Sequence, residues 1–145
     1  MTENRQLYLH EVLDLVKDAK SRKEKRQILL DNNSISLRDF LKGAFDDSVV
    51  WALPKGKPPF EPATEDSCLH GDQLTPLFRK CIRGPGLGDN VRPRDREMFF
   101  IRVLQQCHPK DADYYIKMKD KKMNQVIKGL TKKLVSDTFE GIIRE

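Results

Sequence analysis

Residues 108–123 read HPKDADYYIKMKDKKM, and their reading decides the fold. Pro109 fits the first turn of a helix, where its missing backbone N–H has no intrahelical acceptor to lose. Asp111 and Asp113 follow in the first turns, where carboxylates meet the positive end of the helix dipole. Ala112, Tyr115 and Ile116 recur at helical spacing and form an apolar stripe. The segment therefore predicts a helix that starts at Pro109 and runs into a dense group of lysines. That structural account suffices for His108, Asp111 and Asp113, which are left out of the candidate site.

Outward from this segment, four stripes show the same period. They are Leu9, Val12, Leu13 and Val16; Leu37, Phe40, Leu41, Ala44 and Phe45; Phe100, Val103, Leu104 and Cys107; and Leu130, Leu134, Val135, Thr138 and Phe139. Each puts apolar groups on one helix face. Ser36, with Asp39 three residues on, reads as a weak capping box for the second stripe. Thr131 reads as the cap of the last helix, and Gly141 stands where a left-handed residue ends one. Pro93 opens a helix as Pro109 does. Residues 21–30 (SRKEKRQILL) continue the helical reading until Asn32, Asn33 and Ser34 break it. Asp46 and Asp47 before Ser48 read as a junction between two helices.

The middle of the chain differs. Residues 53–66 (LPKGKPPFEPATED) hold four prolines, which fix φ and remove donors, so this is an extended, polyproline-like strap across the surface. Residues 81–93 form a glycine-rich loop, and a short helix over 73–82 lies between the two. The expectation is one all-α, compact multi-helix domain over 1–145. Within it, 1–33 supply N-terminal helices, 34–53 core helices, 54–72 the proline-rich connector and 73–145 a C-terminal helical part.

Composition sets limits on function. The chain has 145 residues, 38% hydrophobic and 34% charged, a balance that suits helices with wide solvated faces. The net charge of +5 favours acidic partners only modestly. Cys68, Cys81 and Cys107 are odd in number and widely spaced, which speaks for reduced thiols in a cytosolic compartment rather than a disulfide framework. The opening MTENRQLYLHEV has no apolar leader, and no apolar run approaches the roughly 18 residues that span a membrane.

The candidate site is basic. Lys117, Lys119, Lys121, Lys122, Lys128, Lys132 and Lys133 face one acid, Asp120, a local charge of +6 from seven lysines less one aspartate. Ammonium groups at this density suit phosphate neutralisation, with contacts that salt weakens, and Tyr114 or Tyr115 would stack on a base if exposed. The competing reading makes the lysines a solvated face and Tyr115 core. Residues 17–26 form a second basic cluster. Residues 79–96 form a third, interleaved with glycine in RGPGLGDNVRPRDR (83–96), in which Arg92 and Arg94 suit bidentate phosphate contact. The glycines of 84–88 match neither the Walker pattern nor the dinucleotide fingerprint. Cys68, His70, Cys81, Cys107 and His108 lack paired metal-ligand spacing, so no metal and no cofactor are expected. No hydrolase elbow, HExxH or kinase signature occurs, and no enzyme is expected. Trp51 reads as a core anchor onto which Phe60 packs. If exposed, Trp51 with Pro58, Pro59 and Phe60 would instead be a protein-binding surface.

Three stretches carry a resemblance: LRDFLKGAFDDSVVWALPKGKPPFEP (37–62), REMFFIRVLQQCHPKDADYYIKMKDKKM (96–123) and KGLTKKLVSDTFEGII (128–143). Their order, over residues 35–143, resembles an uncharacterised domain-of-unknown-function family of small proteins from T-even-like tailed bacteriophages, including cyanophages. The resemblance implies a phage protein in the cytoplasm of the infected bacterial host and brings no catalytic residue with it. The expected function is that of a non-enzymatic accessory protein in replication, recombination or transcription. It would associate with DNA or RNA through the lysine-rich face, without strong sequence specificity. The alternatives are a factor binding a host or phage protein and a virion structural component.

Overall fold

The computed structural model describes residues 6–143. Expectations that touch the polar opening, residues 1–5, and the end of the C-terminal part, 144–145, lie outside the described residues. The helices are α1 (Leu9–Asp18), α2 (Arg22–Asp31), α3 (Ile35–Phe45), α4 (Pro93–Gln106), α5 (Pro109–Lys119), α6 (Met123–Val126) and α7 (Lys132–Thr138), with 3-10 segments at Gly71–Gln73 and Thr75–Cys81. The fold is all-α. Among the described residues the only β-type pairings are isolated bridges, Trp51 with Ile82 and Leu69 with Cys107.

Local chemistry accounts for most boundaries. Ser21 and Thr131 cap α2 and α7 by accepting the N–H groups of Glu24 and Leu134. Pro93 and Pro109 occupy first helical positions. Past the end of α7, Gly141 takes the left-handed φ of +83°. The cap of α3 is Ser34, not Ser36. Ser36 is 4% exposed, and its backbone N–H donates to Asp72 Oδ1, 36 residues away. The expected partner Asp39 instead accepts the Thr75 hydroxyl, so no capping box forms there. The expectation of several helices over 34–53 is corrected too, because α3 is the only one. Asp46 is its C-cap and is fully buried. Its carboxylate takes the Ser48 N–H and hydroxyl and the Lys42 ammonium, which turns the chain instead of starting a helix.

α5 packs against α1, α3, α4 and α6, and α7 closes over α2 and α3. One apolar cluster draws on every α-helix among the described residues. At its centre the buried Tyr115 ring meets Phe40 and Phe78, and Phe78 meets Phe100 and, edge-on, Trp51. Such offset and edge contacts add about 0.5–1.5 kcal/mol each beyond burial. No described helix is long and apolar enough to cross a membrane.

The connector is extended, as its prolines require. Backbone bonds from Ala52 to Cys81 and from Arg83 to Val50 hold its entry, and one from Leu69 to Gln106 holds its exit. The basic loop before α4 is tied down by Arg96, which is 6% exposed and donates to the Gly88 and Val91 carbonyls.

Gly43, in the last turns of α3, gives a test of this packing. A Cβ there would stand 2.7 Å from the Trp51 ring and 3.1 Å from Met118 Sδ. The indole is held in place by its N–H on the Gly43 carbonyl and by its edge-on contact with the Phe78 ring. Glycine to alanine inside a helix ordinarily gains about 1 kcal/mol. Gly43→Ala is expected to lose about 1–3 kcal/mol instead, read as a lower urea midpoint at unchanged m-value.

Candidate functional site

The structure splits the seven lysines into two groups. α5 ends in a Schellman motif: the Lys121 N–H bonds to the Met118 carbonyl and the Lys122 N–H to that of Lys117. The left-handed position of the motif belongs to Lys121, φ +58°, the one non-glycine residue with positive φ among the described residues. A residue with a Cβ pays about 1–2 kcal/mol for that conformation. The Lys121 ammonium offsets this by donating to the Gly43 and Asp46 carbonyls, at 2.7 and 2.9 Å, which lie at the C-terminal end of α3. Burial lowers its pKa, Asp47 and Asp46 counteract that, and Lys55 and Lys132 lower it further.

Lys119 goes deeper, at 4% exposure. Its ammonium donates to the Pro54 and Gly56 carbonyls and to Asp120 Oδ1, at 2.9, 2.7 and 2.7 Å. The Asp120 carboxylate in turn accepts the Gly56 N–H. Lys119, buried, and Lys121, half-buried, thus spend their ammonium groups on backbone carbonyls of the fold rather than on an open surface patch. Lys25, from the N-terminal basic cluster, acts alike on the end of α1, donating to the Val16 and Ala19 carbonyls.

Lys117, Lys122, Lys128, Lys132 and Lys133 are exposed. Lys132 pairs with Asp47 at 3.0 Å, and Lys133 lies 3.7 Å from Asp137, which also pairs with Arg22. These pairs are partly solvated and worth little. Of the arginines, Arg92 is exposed and pairs with Asp95 at 3.0 Å. Arg94 is exposed and stands at the rim of a cavity of about 350 Å³ between α4 and the strap. The strap adds two exposed cations that the sequence reading did not single out, Lys55 and Lys57, both lining that cavity.

Trp51 is half-buried and packs against the core, with its N–H on the Gly43 carbonyl at 2.9 Å. Phe60 is half-buried beneath the Lys57 ammonium, 5.6 Å from the ring centre. Pro58 and Pro59 line the cavity. Tyr115 is core, and the hydroxyl of half-buried Tyr114 donates to Asp14.

A second constellation went unnoticed in the sequence: His108 and Asp111 were accounted for by the helix they begin, His70 was weighed only as a metal ligand, and Tyr8 and His10 carry no motif. The three histidines converge on Tyr8, whose ring lies 5.9, 5.7 and 5.1 Å from those of His10, His70 and His108. The His10 and His108 ring centres are 4.2 Å apart. Asp111, fully buried, accepts both the backbone N–H and Nδ1 of His10 at 2.8 Å. Burial raises the Asp111 pKa, and the His10 hydrogen bonds pull it back. His70 accepts the Asp72 N–H and bonds through Nε2 to the Leu7 carbonyl. His108 caps α5 by accepting the Lys110 N–H at Nδ1. The cluster clasps the start of α1, the end of the connector and the start of α5. No group of His, Cys, Asp and Glu among the described residues is arranged to hold a metal ion.

Two outcomes follow from this geometry. Lys119→Met leaves the buried Asp120 unpaired and is expected to cost about 3–5 kcal/mol, whereas Lys122→Met stays within about 0.5 kcal/mol; chemical denaturation separates them. For His108, burial and then the neighbouring His10 lower the pKa from its ordinary 6.5, against the raising effect of Asp111 and Glu65. Below that ordinary value the unfolded chain takes up a proton that folded His108 resists, so this contribution to stability falls as pH drops. His108→Asn keeps a capping acceptor and removes the titration. Melting temperature between pH 7.5 and 5.5 is expected to fall less steeply in the variant than in the wild type.

No curated protein and no solved structure matches the chain. A family model does match, over residues 12–125. That span takes in α1 from Val12 onward, α2 to α5, the strap, Lys119 and Lys121, and the chain belongs to DUF6433, a family of unknown function.

Proposed function

We propose that this protein is a non-enzymatic nucleic-acid-associating factor, an accessory protein of a tailed bacteriophage that works in the cytoplasm of the infected host during replication, recombination or transcription. The phage setting rests on the resemblance of residues 35–143 to small phage proteins. The binding reading rests on the free cations. Lys117, Lys122 and Lys128 are exposed with no ion pair among the described residues, and the strap brings Lys55 and Lys57 to Arg94. Lys55 and Lys132 both stand near enough to Lys121 to lower its pKa, which links the strap's cations to the C-terminal ones. Contacts of this kind hold phosphate with little sequence readout. A second reading, a protein partner seated on the strap, is favoured by Pro58 and Pro59 lining an apolar cavity.

The test is fluorescence anisotropy with single- and double-stranded DNA and RNA over a salt series. Log affinity is expected to fall linearly with log salt, at about 0.7 per phosphate contact on single strands and about 0.9 on duplex DNA. Reversing Lys117, Lys122 and Lys128 to Glu is expected to abolish binding with little change in the melting temperature. Absence of binding at low salt overturns the reading in favour of a protein partner.

A further inference from the structure

We infer that the cavity between the strap and α4 receives one unstacked base of a single-stranded nucleic acid, with the adjoining phosphates on Lys55, Lys57 and Arg94. This rests on the nucleic-acid reading above and narrows it to single strands.

One wall is a helix face. Arg94, Glu97, Met98 and Ile101 are spaced i, i+3, i+4 and i+7 on α4 and line the cavity together. Their neighbours Phe100, Val103 and Leu104 supply the buried side of the same helix. Met98 is 50% exposed, an apolar side chain that folding leaves largely in water. The opposite wall is the strap. It is held at one end by Lys119 on the Pro54 and Gly56 carbonyls and at the other by the Glu61 N–H on Gln105. Between these ties Pro58 and Pro59 face the cavity. Proline backbone is ordered before a ligand arrives, so little entropy is lost on contact.

Size and charge select the ligand. A volume of about 350 Å³ falls at the small end of sites that take a compact organic molecule. The rim carries the cations Lys55, Lys57 and Arg94 against one carboxylate, Glu97. None of the three cations has an ion pair among the described residues. A flat apolar body with anions on either side is the chemistry of a nucleotide within a strand. Glu97 is an acceptor suited to the exocyclic amino group of a base. A duplex keeps its bases stacked and paired, so only an open strand offers one without an unstacking cost.

Met98→Asp tests this, because the residue is half-exposed and its replacement disturbs no core contact that the fold needs. Asn124→Asp, a replacement of nearly equal shape exposed on α6 within the lysine run, is the control for added negative charge. The probes are a strand of about a dozen nucleotides of mixed sequence, within the reach of small binding modules, and the duplex of the same sequence. Wild type is expected to prefer the single strand. Met98→Asp is expected to lose about fivefold to tenfold of single-strand affinity and to leave duplex affinity within about twofold. Asn124→Asp should weaken both equally. Equal losses from the two variants, or equal wild-type affinity for strand and duplex, overturn the inference while the basic-face reading stands. No binding of either probe at low salt removes both.

Discussion

Lys119 places its ammonium where water does not reach, and the chain supplies what water would have. Two carbonyls of the strap and the carboxylate of the next residue take its three donors, and the Phe100 ring lies 5.9 Å away. A charge that deep is tolerable only when every donor is met. That requirement sets the path of the strap, since 54–56 must pass over the end of α5. It also draws in Asp120, which then holds Gly56 from the other side. Pro54 and Gly56, fixed here, line the cavity beside α4. A lysine that reads as part of a sticky surface is thus what gives the surface its shape.

Much of the helical plan was legible because its causes are local. Thr131, Pro93 and Pro109 act on their own next turn, and the apolar stripes need only the helical period. Where the reading failed, a distant group had intervened. Ser36 has the chemistry of a cap, but Asp72 claims its backbone N–H, and Ser34 caps instead. Asp46 and Asp47 have the composition of a helix start. The first is used up by Ser48 and Lys42, and the chain turns without starting a helix.

The site was legible by composition and not by position. In the string, Lys119 and Lys121 cannot be told from Lys117 and Lys122, since all four are lysines around one helix end. Their separation depends on the strap and on the free carbonyls of α3, more than sixty residues away in sequence. The histidine clasp shows the same limit from the other side. His108 and Asp111 were explained by the helix they begin, and that explanation is correct, yet both also serve contacts with Tyr8 and His10 that no spacing announces.

That clasp has a consequence for synthesis. His10 is joined to Asp111 across 101 residues, Arg22 to Asp137 across 115 and Lys42 to the Ile142 carbonyl across 100. At the usual pace of translation the partner of each follows by about five to twenty seconds. During that interval α1 has left the ribosome with its hairpin neighbour α2 and without α5. Leu13 and Val16, fully buried in the finished molecule, then have only part of their cover. A nascent chain of this protein is therefore a natural client for chaperones that hold apolar helices, and one truncated before α5 is a natural substrate for quality-control proteases.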